Sequence, residues 1–179
     1  IIGSSLIDSK KVNNVITSTS SHNMSSEKQF RNPTEYGAPK PKTATFTATG
    51  GASMLLTNKN TGLKVESSTI GRIQDYNQTD PLNIGAGMAP AAADTIYRHL
   101  HDMNRTPDYY DLILTGDLGL YGKEILIDFM KKEYGLDISS NYNDCGVMLY
   151  DLEVQKEVLA GGSGPVCSAL VNYSLIMDM

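Results

Sequence analysis

Cysteine is scarce in this sequence. Cys145 and Cys167 are its only two cysteines, and two residues are too few for a disulfide framework. They also lack the CxxC spacing of a structural zinc site. The sequence therefore predicts a reducing, cytosol-like compartment and no bound metal.

Basic clusters and long apolar runs are missing as well. Fifteen Lys and Arg residues against 20 Asp and Glu give a net charge of -5, which argues against nucleic acid as a partner. The longest apolar runs, such as 112–114, fall far short of the ~20 residues of a membrane-spanning helix. The first residues lack the charged flank and cleavage site of a signal peptide. We expect neither a transmembrane segment nor an export signal within this chain.

Length and composition predict one domain that is cut at both ends. The chain has 179 residues, 40% of them hydrophobic, which is enough for one core because domains typically hold about 100 to 200 residues. Its first residue is Ile1 rather than methionine, and 168–179 has the apolar character of a helix that is still running. We therefore expect a part of a larger protein.

The first part of the chain predicts strands around one long loop. The β-branched stretch 14–18 follows a helix tail and predicts a buried strand. Residues 20–42 are polar and rich in proline, as in a loop. The β-rich stretches 43–57 and 63–72 flank a turn at 58–62, which predicts a hairpin.

The second part predicts alternating helices and strands. Pro90 suits the first turn of a helix, whose apolar face has helical spacing: Ala93, Ile96, Leu100 and Met103. The run 109–115 predicts a strand buried on both faces, and a helix then runs from near Gly122 to Gly135. The same alternation places a strand at the apolar run 146–150 and a last helix after the turn 161–164. Such alternation is typical of an α/β layered fold.

Four segments are candidate ligand contacts: three that directly follow predicted strands, because ligands of open α/β sheets bind beyond the carboxyl ends of strands, and the further turn 144–146. They are 20–23 with His22, 116–118 with Asp117, 144–146 with Asp144 and Cys145, and the turn 161–164 with Gly162, Ser163 and Gly164. The last turn opens a helix, whose free N–H groups favour a carboxylate or phosphate. It lacks the lysine of a Walker loop and the full GxGxxG spacing.

Each candidate also has a structural interpretation. The glycine turn is equally well a tight turn that needs glycine conformations, and Asp117 is a general base, an orienting carboxylate or a cap for the following helix. His22 is an acid/base group or a hydrogen-bonded surface residue. Cys145 stands beside Asp144, whose charge should raise the thiol pKa and disfavour a nucleophile. Lys28 and Arg31 in the long loop are the nearest cations for an anionic ligand.

Seven short sequence words are spread over nearly the whole chain. They are TSSHN at 19–23, EKQFR at 27–31, PTEYG at 33–37, MAPAAAD at 88–94, YDLILTGD at 110–117, DCG at 144–146 and AGGSG at 160–164. Together they closely resemble the stage V sporulation protein AD family of spore-forming Firmicutes. A full member of that family is about twice this length, against about 150 residues for one ordinary domain.

The resemblance implies a thiolase-like layered sheet-and-helix fold, present here in part. Residues 1–62, with the long loop 20–42, would be the end of the N-terminal half, and 63–179 would be a truncated C-terminal half. The family is implicated in taking dipicolinic acid (pyridine-2,6-dicarboxylic acid) into the developing spore. The resemblance also implies association with other stage V sporulation membrane proteins at the cytoplasmic side of the spore inner membrane, and leaves a homodimer open.

The same resemblance implies a pocket that binds without catalysing. Asp117 stands where condensing enzymes of this fold have histidine, and Ser163 stands where they have asparagine. Loss of both removes the donors that stabilise an enolate or oxyanion. Asp144 and Cys145 are carried over to the same pocket, no cofactor is implied, and calcium would arrive with the ligand. The alternatives are an acyl-transferring enzyme whose cysteine precedes Ile1, and a scaffold of a membrane complex.

Overall fold

A computed structural model describes residues 1–22, 46–60, 62–80 and 82–177. Its helices and strands are, in chain order, α1 Ile2–Asp8, β1 Asn14–Ser21, β2 Gly50–Thr57, α2 Ile84–Asp102, β3 Ile113–Thr115, α3 Gly119–Tyr134, β4 Tyr142–Asp144, α4 Cys145–Leu149 and α5 Gly164–Val171. Short 3-10 helices lie at Pro107–Tyr109 and Lys156–Val158, and a π-helical turn at Asn172–Ile176 follows α5. This mixture confirms the predicted α/β class, while the division at residue 62 stays a prediction.

The strands form two small sheets of opposite type. β1 and β2 are antiparallel, with Asn14 opposite Thr57 and Ser21 opposite Gly50. β3 and β4 are parallel, with Thr115 opposite Asp144. Because parallel strands end at the same edge of a sheet, the segments that follow Thr115 and Asp144 lie side by side.

The predicted hairpin of 43–57 with 63–72 is wrong. β2 pairs along its whole length with β1 instead, and 63–72 contains no strand. Gly3 of α1 is buried against the β1–β2 sheet, where an added Cβ would lie 3.1 Å from both Val15 and Leu56. The β1–β2 pairing therefore places α1 against one face of this two-stranded sheet.

Side chains rather than a strand ladder hold the segment 63–72. Thr69 Oγ1 lies 2.8 Å from His99 Nδ1 on α2. Arg105 Nη2 donates to Glu66 at 2.8 Å. These bonds attach an extended segment to the outside of α2, so its β-rich composition did not produce a strand.

Helices α2 and α3 make the larger core. The predicted apolar face of α2 is confirmed in part, because Ala93 and Leu100 are buried. Ala93 packs in one cluster with Leu126 and Met130 of α3. α2 begins earlier than predicted because Asn83 Oδ1 caps it by accepting from Ala86 N at 3.1 Å. Pro90 consequently lies inside the helix rather than in its first turn.

Glycines bring α2 and α3 into backbone contact. A Cβ on Gly85 would overlap the carbonyl oxygen of Leu118, and one on Gly122 would lie 2.9 Å from the Gly85 Cα. α3 starts at Gly119 and ends at Tyr134, where Gly135 with φ 67° forms the predicted stop. This contact fixes the segment that enters α3.

The apolar run 146–150 is helical, so its predicted strand is wrong. Asp144 ends β4 and then caps α4, because its Oδ1 accepts from Gly146 N at 3.0 Å. α4 and α5 pack in a second apolar cluster: Ala48, Cys145, Val166, Cys167 and Val171. Across the described ranges, no helix combines the length and apolarity needed to cross a membrane.

Candidate ligand-binding site

Three glycine-containing segments meet at the carboxyl edge of the β3–β4 sheet. Asp117 O accepts a hydrogen bond from Gly162 N at 3.0 Å. A Cβ on Gly116 would lie 3.0 Å from the Cα of Gly164. The segment after β3 therefore touches the turn 161–164, and α4 starts beside both. The structure thus brings together most of the predicted contacts, Asp117, Asp144, Cys145, Gly162 and Gly164.

Asp144 is fully buried and accepts four hydrogen bonds. Its Oδ2 accepts from Thr115 Oγ1 at 2.7 Å and from Leu118 N at 2.9 Å. Its Oδ1 accepts from Gly119 N and Gly146 N, both at 3.0 Å. Because a carboxylate has about four acceptor positions, these donors fill them. This geometry favours a role in ordering the site, while direct ligand contact by Asp144 stays a prediction.

Sequence reasoning missed a hydroxyl chain behind Asp144. Tyr142 OH lies 2.6 Å from Thr115 Oγ1. Since Thr115 donates its own proton to Asp144, Tyr142 must donate to Thr115. Burial raises the pKa of Tyr142, so the phenol keeps the proton that it donates. This chain of hydroxyls depends on the register of the parallel strands, in which Tyr142 lies opposite Ile113 and Asp144 opposite Thr115. Knowledge of that register would have been needed to predict it.

Asp117 is 1% exposed and does not cap the helix that follows it. α3 has no side-chain cap at Leu118, and its first N–H groups bond Asp144 instead, so the capping interpretation of Asp117 is wrong. The Asp117 carboxylate lies against two glycines. A Cβ on Gly146 would overlap Oδ1, and a Cβ on Gly162 would lie 3.0 Å from Oδ2. Larger residues at either position would displace the carboxylate.

The two cysteines are buried free thiols. Burial, followed by the nearby carboxylates Asp144 and Asp117, raises the pKa of Cys145 to about 12. Burial also raises the pKa of Cys167, with Asp117 as the next cause. The expected direction for Cys145 is confirmed, although burial rather than the neighbouring carboxylate is the main cause. Both thiols are protonated near neutral pH.

The raised thiol pKa values predict a loss of stability at alkaline pH. A thiol has a pKa near 9 when unfolded and about 12 at Cys145 when folded, so the folded state holds its proton more tightly. The contribution of the protonated Cys145 thiol to the free energy of unfolding is complete below pH 9 and is lost as the pH rises from 9 towards 12. Urea unfolding of the intact protein at several pH values checks this. A Cys145→Ala variant should lose less stability over that interval, and an equal loss in both proteins would contradict the assignment.

The remaining predicted contacts lie at the rim or outside the described residues. Ser163 and Gly164 are partly exposed, and α5 begins at Gly164 without a side-chain cap. His22 is exposed and directly follows β1. The neighbouring Ser21 hydroxyl donates to Ala48 O, which belongs to the cluster that contains Cys145. Lys28, Arg31 and most of the long loop fall in 23–45, outside the described residues.

Tyr150 is a further residue that sequence reasoning missed. Its hydroxyl is buried and has no hydrogen-bond partner among the described residues. Its ring packs against the apolar cluster that contains Cys145 and Cys167. Burial, and next the charge of Asp117, raises the pKa of Tyr150. A protonated phenol therefore lies within electrostatic reach of Asp117.

Away from Asp117, the described residues offer an open groove but no metal site. In the part of the chain that the structure describes, no group of three or more His, Cys, Asp or Glu residues is placed to hold a metal ion. An open groove of about 340 Å³ lies between the β1–β2 sheet and α5, lined by residues such as Thr17, Met54, Ala169 and Tyr173. Asp117 does not line that groove, so the groove is separate from the buried carboxylate.

Comparison with known proteins gives a match over the full chain. The sequence model of the family described as Stage V sporulation protein AD (SpoVAD) matches residues 1–179. A Bacillus subtilis (strain 168) protein described as "Stage V sporulation protein AD" is 46% identical over 175 residues, which cover 98% of this chain and 51% of that protein. The chain spans about half the length of this curated relative. The chain belongs to the stage V sporulation protein AD family.

Proposed function

We propose that this protein binds dipicolinate without changing it chemically and serves its uptake into the developing spore. Membership of the family supports a role in sporulation. The identity of the ligand is inferred from the family resemblance of the seven sequence words. The curated relative does not supply it, since its name states no ligand and it is about twice as long as the matched part. The geometry of the site supplies the further support.

The start of α5 carries the proposal. α5 begins at Gly164 after Ser163, and no side chain caps it. The N–H groups of its first turn, to which Pro165 contributes none, can therefore donate hydrogen bonds to an anionic partner, which the helix dipole also favours. Both residues are partly exposed, whereas Asp117 lies buried behind the turn. A flat dicarboxylate needs such donors at the rim and an apolar surface beside them.

The chemistry of the site supports binding rather than acyl transfer. Cys145 itself is unsuited as a nucleophile, because a cysteine nucleophile reacts as the thiolate and the pKa of Cys145 is raised to about 12; the cysteine of the enzyme alternative would precede Ile1. A carboxylate in its ionised form accepts hydrogen bonds and donates none, so aspartate at position 117 is a poor replacement for the histidine donor of an oxyanion site. No observation favours the acyl-transferring enzyme over binding.

Calcium belongs to the proposal as a companion of the ligand. Asp117 and a free dipicolinate dianion would repel each other at close range. A calcium ion chelated by the ligand removes that repulsion, since Ca²⁺ takes carboxylate oxygens as ligands. Both the free and the calcium-bound ligand are therefore part of the test. We further propose peripheral association with stage V sporulation membrane proteins at the spore inner membrane, as the resemblance implies.

Calorimetric titration of the intact protein tests the proposal. We expect binding heat with dipicolinate, its calcium chelate or both, and none with benzoate, which has one carboxylate and no ring nitrogen. Absence of heat with both forms, together with hydrolysis of an acetyl thioester, would contradict binding and favour the enzyme.

A charge placed at the start of α5 should weaken binding selectively. Ser163→Glu puts a carboxylate at the cap of α5, where it occupies the N–H groups and repels an anionic ligand. We expect the dissociation constant for dipicolinate to rise about 10-fold or more, with unchanged or improved stability. Ser174→Glu is the matched control, because Ser174 is exposed on the turn that follows α5. Equal affinities of the two variants would exclude this end of α5 from the site.

A further inference from the structure

Tyr150, a partly buried residue, differs from the buried Tyr142 near the site. Its hydroxyl is buried without a hydrogen-bond partner among the described residues. Its position is well determined by the fold, because Tyr150 N donates to Gly146 O at 3.2 Å where α4 ends. The ring is held by the apolar cluster of α4 and α5. The side chain is therefore fixed while its polar atom is unused.

Tyr142 provides the comparison within the same chain. Its hydroxyl lies 2.6 Å from Thr115 Oγ1 and continues to Asp144, so it is paired inside the protein. A buried hydroxyl without a partner is destabilising, and the large majority of such groups in folded proteins are paired. An unpaired donor on a rigid ring beside a candidate site thus calls for a partner other than the described residues.

The environment of Tyr150 keeps it a donor. Burial and the charge of Asp117 raise its pKa, so the phenol carries its proton throughout the neutral range. A neutral donor suits this place, because it can bond a ligand carboxylate without adding a charge to a site that already contains Asp117 and Asp144. Cys167 of α5 also influences the same phenol, in keeping with the packing of the Tyr150 ring against the cluster that contains Cys167.

We propose that Tyr150 is a ligand-contacting residue whose hydroxyl donates a hydrogen bond to one carboxylate of the bound dicarboxylate. This inference rests on the proposed function and adds a specific donor to it. The N–H groups at the start of α5 would hold one carboxylate and the Tyr150 hydroxyl the other. A ligand with two carboxylates on one flat ring is then preferred over one with a single carboxylate.

Two matched substitutions in the intact protein test this assignment. Tyr150→Phe and Tyr142→Phe each remove one hydroxyl and keep the ring. For Tyr150→Phe we expect the dissociation constant for dipicolinate to rise about 10-fold or more, as for loss of a hydrogen bond to a charged group. Its urea midpoint should stay equal or rise, because an unpaired buried hydroxyl is removed. For Tyr142→Phe the midpoint should fall.

The outcomes separate this inference from the function on which it rests. If wild type binds dipicolinate and Tyr150→Phe binds equally well, the inference is overturned and the function stands. If Tyr150→Phe lowers the urea midpoint as much as Tyr142→Phe does, the hydroxyl has a structural partner and the inference is overturned. If wild type does not bind dipicolinate, the proposed function and this inference fall together.

Discussion

Replacing Asp144 with alanine is expected to lower the free energy of unfolding by about 4 kcal/mol or more. The reason is that the substitution leaves four donors without their acceptor, the part-buried Thr115 Oγ1 and the buried Leu118 N, Gly119 N and Gly146 N. Each unpaired buried donor costs about 1 to 3 kcal/mol. The start of α3 and the start of α4 lose their common cap at the same time. Urea unfolding of the intact protein measures the loss.

Asp151→Ala is the control for this substitution. Asp151 also accepts from backbone N–H groups, those of Glu153 and Val154 at 3.0 and 3.3 Å, but it is exposed to water. Its replacement should cost less than about 1 kcal/mol, because water can bond the released N–H groups. If the two variants lost similar free energies of unfolding, the hydrogen bonds of buried Asp144 would not have the stabilising role proposed for them.

Gly162→Ala is expected to destabilise the protein by about 3 kcal/mol and to abolish measurable dipicolinate binding. An added Cβ would overlap the carbonyl oxygen of Phe46 and would lie 3.0 Å from Asp117 Oδ2. A backbone carbonyl cannot rotate aside as a flexible side chain can, so the turn 161–164 must move. That movement displaces both the start of α5 and the Asp117 carboxylate. Unfolding and calorimetric titration of the same variant measure the two effects.

Gly87→Ala provides the opposite case. Gly87 lies on the exposed side of α2, and a Cβ there would meet only the Gln78 side chain at 3.4 Å. Alanine should stabilise this helix by up to about 1 kcal/mol. If Gly162→Ala were as stable as Gly87→Ala and bound ligand normally, the close packing around the turn would be refuted.

Local rules predicted helices α2 and α3 and part of the candidate site. The spacing of apolar residues predicted α2 and α3, and Gly135 predicted the end of α3, because amphipathic faces and left-handed caps depend on nearby residues. The rule that ligands bind beyond strand ends selected Asp117 and the turn 161–164. Asp144 was assigned to the same site through the family resemblance.

Non-local pairing and long-range caps could not be predicted in this way. β2 pairs with β1 across the long loop, and local composition does not distinguish this distant partner from the β-rich stretch 63–72. α4 replaces a predicted strand because Asp144 caps it, and that carboxylate also caps α3 in place of Asp117. The paired hydroxyl of Tyr142 and the unpaired one of Tyr150 depend on tertiary packing that spacing does not encode.

A crystal structure of the intact protein with bound dipicolinate would show directly whether the ligand binds at the start of α5. We expect the ligand there, with one carboxylate within hydrogen-bond distance of the N–H groups of the first turn. The other carboxylate should meet the Tyr150 hydroxyl, with Asp117 behind. The proposed site would be contradicted if the ligand bound instead in the groove between the β1–β2 sheet and α5 and contacted neither the start of α5 nor Tyr150.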